Sequence, residues 1–489
     1  MNDSVLEIGG RLEHAPSNAL IQSVFAKELK QQLALFDELS LVDLAYTLVS
    51  LENQLIPAAQ GQELLAYLLQ LQQTDFTPNA AAGDLYTNRE AWLKERTASV
   101  AYLGVGRARR EAITAAFLLY LRRLCSKLMQ AFVNMGKALT DKAAKHKQDL
   151  MPDFTYLQIA QPTTFAHYLL GFAYPVIRDL QRLTELYQRL NLSVLGCGSS
   201  NGSQLVLGRE RLAELLGCQG VVVHARDAMW QADLTIELIA LLTTSIINLS
   251  RLAEDLQIFC SEGFALVELS DTHARASKIM PQKKNPFALT AIRGLANELI
   301  GIQTTIATLA RTPSGQPDNR LTIYGLLPDA LLQVCAASDL MAEVITELNY
   351  QTERGQQMIQ HSWAMSSDIA EFLVVYCSLD FRSAHKLLGY LARQYATIQD
   401  LTLDTLQQAS LELLKQPLNL TAEQFTEALN PQSAINKRQE IGGASSESVQ
   451  TMLNQLHAQF AQFNATSQQW QQQHAMIKRQ LLQRAREAV

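Results

Sequence analysis

The sequence predicts an all-α protein of two or three domains, and three observations carry that expectation. Strand-like alternation of apolar and polar residues is hard to find along the chain. Only 13 prolines and 23 glycines punctuate 489 residues, so long intervals contain neither. A chain of that length also far exceeds what one hydrophobic core serves.

The elements follow in order. The interval 111–143, broken only by Gly136, reads as one long helix. The interval 232–258 has no Gly or Pro, and it sets Leu238, Leu242, Ile246, Leu249, Leu252 and Leu256 on one helical stripe. Helices of this length imply a bundle or a shared oligomeric core. Three irregular regions interrupt them: residues 73–83 with Pro78, Asn79 and Gly83, the Gly/Ser-rich 196–208, and the polar stretch 261–286 (SEGFALVELSDTHARASKIMPQKKNP). The Gln-rich tail from about Thr466 keeps its apolar positions and reads as a terminal helix rather than disorder.

Hydrophobic residues make up 48% of the chain and charged residues 18%, as in a well-packed globular protein. A formal net charge of -6, with scattered basic residues, argues against nucleic acid as a partner. The six cysteines (Cys125, Cys197, Cys218, Cys260, Cys335, Cys377) show no metal spacing and read as free thiols of a reducing compartment. The nine histidines form no HExxH or comparable pair, so no metal and no cofactor is expected. The start, MNDSVLEIGGRLEH, is not a secretion signal. The charge-free apolar stretches around 238–249 and 163–177 are too short to span a bilayer, so the expectation is a cytoplasmic protein with no membrane partner.

The chemistry concentrates in residues 277–286, SKIMPQKKNP, a loop with one hydroxyl, several cations and an amide. It suits an anionic small-molecule substrate: Lys283 and Asn285 can hold a carboxylate and Ser277 can take a proton. Taken alone, a Lys-Lys pair is more often a solvated surface loop.

This loop resembles the GSSxMPxKxNP loop of the fumarase/aspartase superfamily, and its QKKNP form resembles that of the argininosuccinate lyases. Other segments resemble the same branch in the same order: IGGR at 8–11, GRARREAITAAFLLYLRR from Gly106, MPDFTYLQIAQPTTFAHYLLGFAYPVIRDLQRL at 151–183, GRERLAELLG at 208–217, LSRLAEDL at 249–256 and LNPQSAINKRQEIGGASSESV at 429–449. CGSSNGSQ is similar to that branch's Gly-rich turn. The resemblance spans nearly the whole chain.

It implies an anti β-elimination that releases fumarate from a substituted succinate through an aci-carboxylate dianion. By position, Ser277 resembles the catalytic base on a mobile loop, and Lys283 and Asn285 the carboxylate-binding pair. Thr155 matches a threonine that hydrogen-bonds substrate, with Gln158 beside it in FTYLQ, and Arg109 matches the second arginine of GRSRN. The resemblance also implies three helical domains, at 1–107, 108–360 with its catalytic loop 261–286, and 361–489. The central long-helix bundles form the core of a homotetramer, and each site draws Arg109, Thr155/Tyr156 and Ser277 from separate subunits.

Several positions depart from the family pattern. Tyr156 stands at the histidine of THLQ that assists proton transfer to the leaving group, and Thr290 at the glutamate that would orient it. Tyr86 replaces another histidine, Ala108 and Arg110 replace the Ser and Asn of GRSRN, and Ala276 and Lys278 replace the loop's Gly and second Ser. The substitutions bring in two cations and two phenols. They imply a more negative substrate, or a leaving group unlike the guanidinium of arginine, bound by Tyr86, Arg109, Arg110, Lys278 and their neighbours. Tyr156 can act as an acid or as a plain hydrogen-bond donor, or it can be an aromatic filling the lost histidine's space. His167 reads as a satisfied core histidine. Arg226, Gln316, Asp318, Asn319 and Arg320 fall where the family has further contacts, without a residue-by-residue match.

The leading expectation is therefore a carbon–nitrogen lyase interconverting fumarate and an N-substituted aspartate. The alternatives are an enzyme of the same fold acting on a non-succinate substrate, and a catalytically retired structural homologue.

Overall fold

The computed structural model describes residues 14–205, 208–316 and 318–489, the side chains of residues 318 and 319 excepted. The IGGR segment at 8–11 lies outside them.

The chain is predominantly helical. Helix α1 (Phe36–Glu52) buries residues on all sides, among them Leu39, Val42, Leu44 and Val49, and so sits inside the protein. Helix α2 (Ala58–Gln73) buries Leu64, Leu65, Leu68 and Leu71 at helical spacing. Helix α3 (Leu85–Lys94) starts at Asp84, whose carboxylate accepts from Thr87 N at 2.9 Å and so caps one of the free N–H groups. Helix α4 (Arg109–Lys145) has 37 residues and extends roughly 55 Å.

A hairpin of β1 (Leu150–Thr155) and β2 (Gln158–Thr164) leads into α5 (Phe165–Leu190). Then come α6 (Asp233–Phe259), a two-residue ribbon of β3 (Arg275–Ala276) and β4 (Lys284–Asn285), α7 (Phe287–Ala310) and α8 (Asp318–Glu347). Shorter helices occupy 352–436, and α9 (Ser446–Glu487) ends the chain.

Helix α4 is the hub, packed against α5, α8 and α9, while α6, α7 and α8 pack on one another. At Gly136 an added Cβ would lie 2.1 Å from the Phe460 ring, so only glycine lets α9 seat on α4. Helix α9 begins twenty residues before the Thr466 start expected from the sequence and reaches back to α1, α2, α4 and α5. One large hydrophobic core joins α1 to α8 with α9, and a second is built from residues 359–444 together with Leu150.

The β1–β2 hairpin is the element the periodicity did not announce. Its strands are mostly half-exposed or exposed towards the tip, and the register shifts between Pro152 and Phe154, which breaks the alternation. The expectation about apolar length also needs correcting. The charge-free runs are short, but α6 and the 320–347 stretch of α8 are long and apolar enough to cross a membrane. Of the most apolar 18-residue window in each, 56% and 50% is buried inside the chain. Exposed apolar residues include Ile247 on α6, Ile300 on α7 and Leu332 on α8.

Candidate active site

The residues singled out by sequence fall into three groups. The first lies where α3 meets the start of α4. Arg109 donates to Thr87 Oγ1 at 3.3 Å and pairs through Nε with Asp84 Oδ2 at 3.2 Å. Arg110 is half-buried, with Nη1 lacking a hydrogen-bond partner among the described residues. Helix α4 begins at Ala108 with no side-chain cap, so its positive end carries two guanidinium groups and no capping hydroxyl. Glu28, near both arginines, has its carboxyl raised, first by burial and then by Asp84.

Tyr86 is buried, and its hydroxyl accepts from Arg107 Nη2 at 3.4 Å. It thereby belongs to a buried ion network. Asp43 pairs with Arg107 at 2.6 Å and with Arg89 at 2.9 Å, all three side chains essentially sealed from water. Arg107 also stacks on Tyr46, 4.6 Å from its ring centre. This network locks the segment just before Arg109.

The second group is the tip of the β1–β2 hairpin. Thr155 pairs with Gln158 across a two-residue turn, and both turn residues have left-handed backbone, Tyr156 at φ 54° and Leu157 at φ 57°. Neither is glycine, so the turn is strained by an amount on the order of 1–3 kcal/mol per residue. Phe154 anchors it, its ring 5.6 Å from Phe259 and 5.3 Å from Phe264. Tyr156 is 99% exposed. Within one chain it does not fill a buried space; it projects from the surface.

The third group is the 275–285 ribbon. Ser277 Oγ accepts backbone N–H bonds from Met280 at 3.0 Å and Ile279 at 3.4 Å. Ser277 N donates to Lys283 O, and Asn285 Nδ2 donates to Arg275 O at 2.9 Å. Lys284 is neutralised by Glu268 at 3.2 Å and Asp271 at 2.7 Å, whereas Lys278 and Lys283 have no ion-pair partner among the described residues. Lys283 and Asn285 border a cavity of about 670 Å³. Thr290 bonds back to Pro286 O at 3.4 Å within its own helix.

Among the described residues, no hydrogen bond or ion pair joins any two of these groups. His167 is satisfied by Thr163 Oγ1 at 3.1 Å and Gly442 O at 3.0 Å. Arg226 contacts Ser314, and Arg320 donates to Met229 O and Gln231 O, so both tie segments together. All six cysteines are free, and among the described residues no three His, Cys, Asp or Glu side chains cluster as a metal site.

Two residues that sequence reading missed support the first group. Asp43 is one, and its signal was a lone acid in the apolar run SLVDLAYTLV. The other is Glu111, whose Oε1 accepts from Gly196 N at 2.6 Å and so clamps the Gly-rich turn to the start of α4. Burial pushes the Glu111 carboxyl up to about 7, against the pull of that N–H and of Arg107. Its folded pKa thus exceeds the unfolded value of 4.5. The fold binds the extra proton between those two values, and stability falls as pH rises through that window, by on the order of 3 kcal/mol. Glu111→Gln should remove that slope. The melting-temperature gain of the variant over the native chain is expected to grow between pH 5 and pH 8, and a gain independent of pH would refute the assignment.

Comparison with known proteins adds the following. A family model described as Lyase matches residues 61–301, and one described as Argininosuccinate lyase C-terminal matches residues 363–436. An argininosuccinate lyase of Methanococcoides burtonii is 29% identical over 459 residues, with 92% of each chain covered. One from Geobacillus thermodenitrificans is 30% identical over 84% of this chain and 90% of its own. Among solved structures, an EDDS lyase variant with bound fumarate superposes with a TM-score of 0.86 at 25% identity, covering 97% of this chain and 98% of that one.

Proposed function

This chain belongs to the argininosuccinate lyase family of the fumarase/aspartase superfamily and is a carbon–nitrogen lyase, and on that premise we propose that it eliminates an amine from an N-substituted aspartate to give fumarate, or adds the amine to fumarate in reverse. The observation that carries this reading is Ser277 Oγ held by two backbone N–H groups, on a ribbon whose Lys278 and Lys283 have no ion-pair partner among the described residues. A serine hydroxyl is a poor base in water. Hydrogen bonds and positive charge directed at its oxygen favour the alkoxide and so raise its capacity to take a proton. Ser277 then removes the proton beside the substrate carboxylate, and Lys283 and Asn285 hold the dianion that develops. Asn285 Nδ2 spends one N–H on Arg275 O and keeps its second for the substrate.

Thr155, Gln158, Arg109 and Arg110 bind the remaining polar groups, and Tyr156 faces the leaving amine. With Thr290 turned back on its own helix, no carboxylate charges Tyr156 from that position. The leaving group therefore departs with help from a phenol in place of a carboxylate-oriented imidazole, which fits an amine less basic than a guanidinium better than argininosuccinate itself.

The three groups work as one site only if different copies of the chain supply them. Strain and exposure at Tyr156 fit a tip that inserts into a neighbouring subunit, and the exposed apolar residues of α6, α7 and α8 fit a shared helical core. A homotetramer meets both needs.

The test is a mass-spectrometric screen of purified protein with fumarate and a panel of amines that includes arginine. A new adduct of amine plus fumarate is the expected result, from material that runs as a tetramer in gel filtration. No adduct from a confirmed tetramer overturns the fumarate reading, and a stable active monomer overturns the shared site.

A further inference from the structure

A second cavity lies where α1, α4 and α9 meet, closed on one side by Leu216. Arg122 in its wall is thirteen residues beyond Arg109 on α4, roughly 20 Å along the helix from the first group of site residues. The cavity holds about 190 Å³, somewhat more than the ~150 Å³ that accommodates a benzene-sized guest.

Its chemistry is divided. Leu41, Leu119, Leu216, Ile477 and Leu481 form an aliphatic wall. The same helices bring charge to the lining: α1 contributes two adjacent acids, Asp37 and Glu38, and α4 and α9 contribute three cations, Arg122, Arg123 and Lys478. The charges are partly matched: Arg123 Nε pairs with Glu38 Oε1 at 2.7 Å and Lys478 with Asp37 at 3.0 Å. Arg122 spends its terminal nitrogens on Gly217 O at 2.8 Å and Leu216 O at 3.3 Å.

What is left over is specific. By hydrogen-bond geometry, Glu38 Oε2, Arg122 Nε and His474 Nδ1 have no partner among the described residues, although Glu38 and Arg122 are 5% and 2% exposed and the Tyr187 hydroxyl lies close to the Arg122 guanidinium. Buried polar atoms are normally paired, because leaving them unpaired forfeits their hydration. His474 is itself fixed by Tyr187, whose hydroxyl lies 2.8 Å from Nε2. Burial and the nearby arginines hold the imidazole down to about 4, so it is neutral and adds no charge.

We propose that this cavity binds a small aliphatic α-amino acid as its zwitterion. The carboxylate accepts from Arg122 Nε with Lys478 near, the ammonium donates to Glu38 Oε2, and the hydrocarbon side chain covers the leucine wall. An anion alone leaves Glu38 Oε2 unpaired, and a cation alone leaves Arg122 Nε unpaired. A molecule carrying both charges, with an aliphatic end, completes the set. The site is separate from the lyase residues and stands whether or not the fumarate reading holds.

The experiment is calorimetric titration and thermal shift of the full chain with leucine, isoleucine, valine and alanine, beside isovalerate and isobutylamine as single-charge probes. At about 10 mM ligand, a rise in Tm of at least about 2 °C is expected for one of the branched amino acids and none for the probes. Leu119→Trp, entering the cavity from a half-exposed position, should abolish the shift, and Lys478→Gln, at an exposed rim residue, should weaken binding about three- to tenfold. Lys478→Gln decides the matter if Leu119→Trp does not fold. No shift with any amino acid, an equal shift with either probe, or a shift undiminished in both variants overturns the proposal.

Discussion

Replacing Ser277 with alanine lowers kcat for fumarate formation by about 10²- to 10⁴-fold, the range that a positioned general base supplies. The expected KM stays within about threefold of the native value, because Ser277 gains its importance as the proton moves and contributes little to ground-state binding. In the structure its oxygen accepts two backbone N–H bonds from the following turn. Alanine therefore also removes a local cap on the loop. The control for that effect is Ser277→Cys, which keeps an acceptor and a titratable group of the same shape. Steady-state kinetics with the amine found in the screen separates the cases. An alanine variant within tenfold of native kcat would reject Ser277 as the base and shift attention to Tyr156, whose replacement by phenylalanine removes only the phenolic proton.

Asp43→Ala should cost about 3–5 kcal/mol of stability, the range for breaking a buried ion pair by removing one partner. The size follows from the arrangement. One carboxylate neutralises two guanidinium groups, Arg89 and Arg107, with side-chain exposures of 1%, 1% and 0% for Asp43, Arg89 and Arg107. Without Asp43, both cations stay buried, and they keep only neutral partners: the Ser40 and Tyr86 hydroxyls and the aromatic faces of Phe36 and Tyr46. A fall in the urea midpoint with unchanged slope would register the loss. Asp43→Asn should be milder, since it keeps one acceptor for either arginine. Activity should fall further than folded fraction alone explains, because Arg107 fixes the backbone that presents Arg109. A loss below about 1 kcal/mol would show that water reaches these arginines and that the network is not sealed.

Much of this was legible in the sequence, for reasons that can be traced to particular residues. The long helices announced themselves because α4 and α6 carry their leucines at helical spacing and contain almost no Gly or Pro. The loop at 277–286 was legible because its residue types match a known chemistry in order and spacing. The β1–β2 hairpin was not, since Tyr156 and Leu157 occupy a turn that local preference assigns to Asn or Gly. A strained turn of this kind runs against the local preferences on which a sequence reading relies. Asp43 and Glu111 were missed for a related reason. Their importance comes from partners 46, 64 and 85 positions away, which no local pattern relates. Tyr86 was legible as a departure, yet its burial against Arg107 depends on that same distant acid.

Helix α9 carries a consequence for how the molecule comes to be made. Lys478 meets Asp37 across 441 positions, and Phe460 seats on Gly136, so a segment made late completes packing begun by segments made much earlier. Contacts of such separation form late and slowly, since the chain must close a very long loop to make them. Until they form, the leucines of α1 and α4 that α9 covers remain open to water and to other nascent chains. The aliphatic wall of the cavity at α9 is part of that same late surface. Biosynthesis therefore passes through an interval in which α1 and α4 are made and the core they share with α9 is unfinished, the state on which chaperones act.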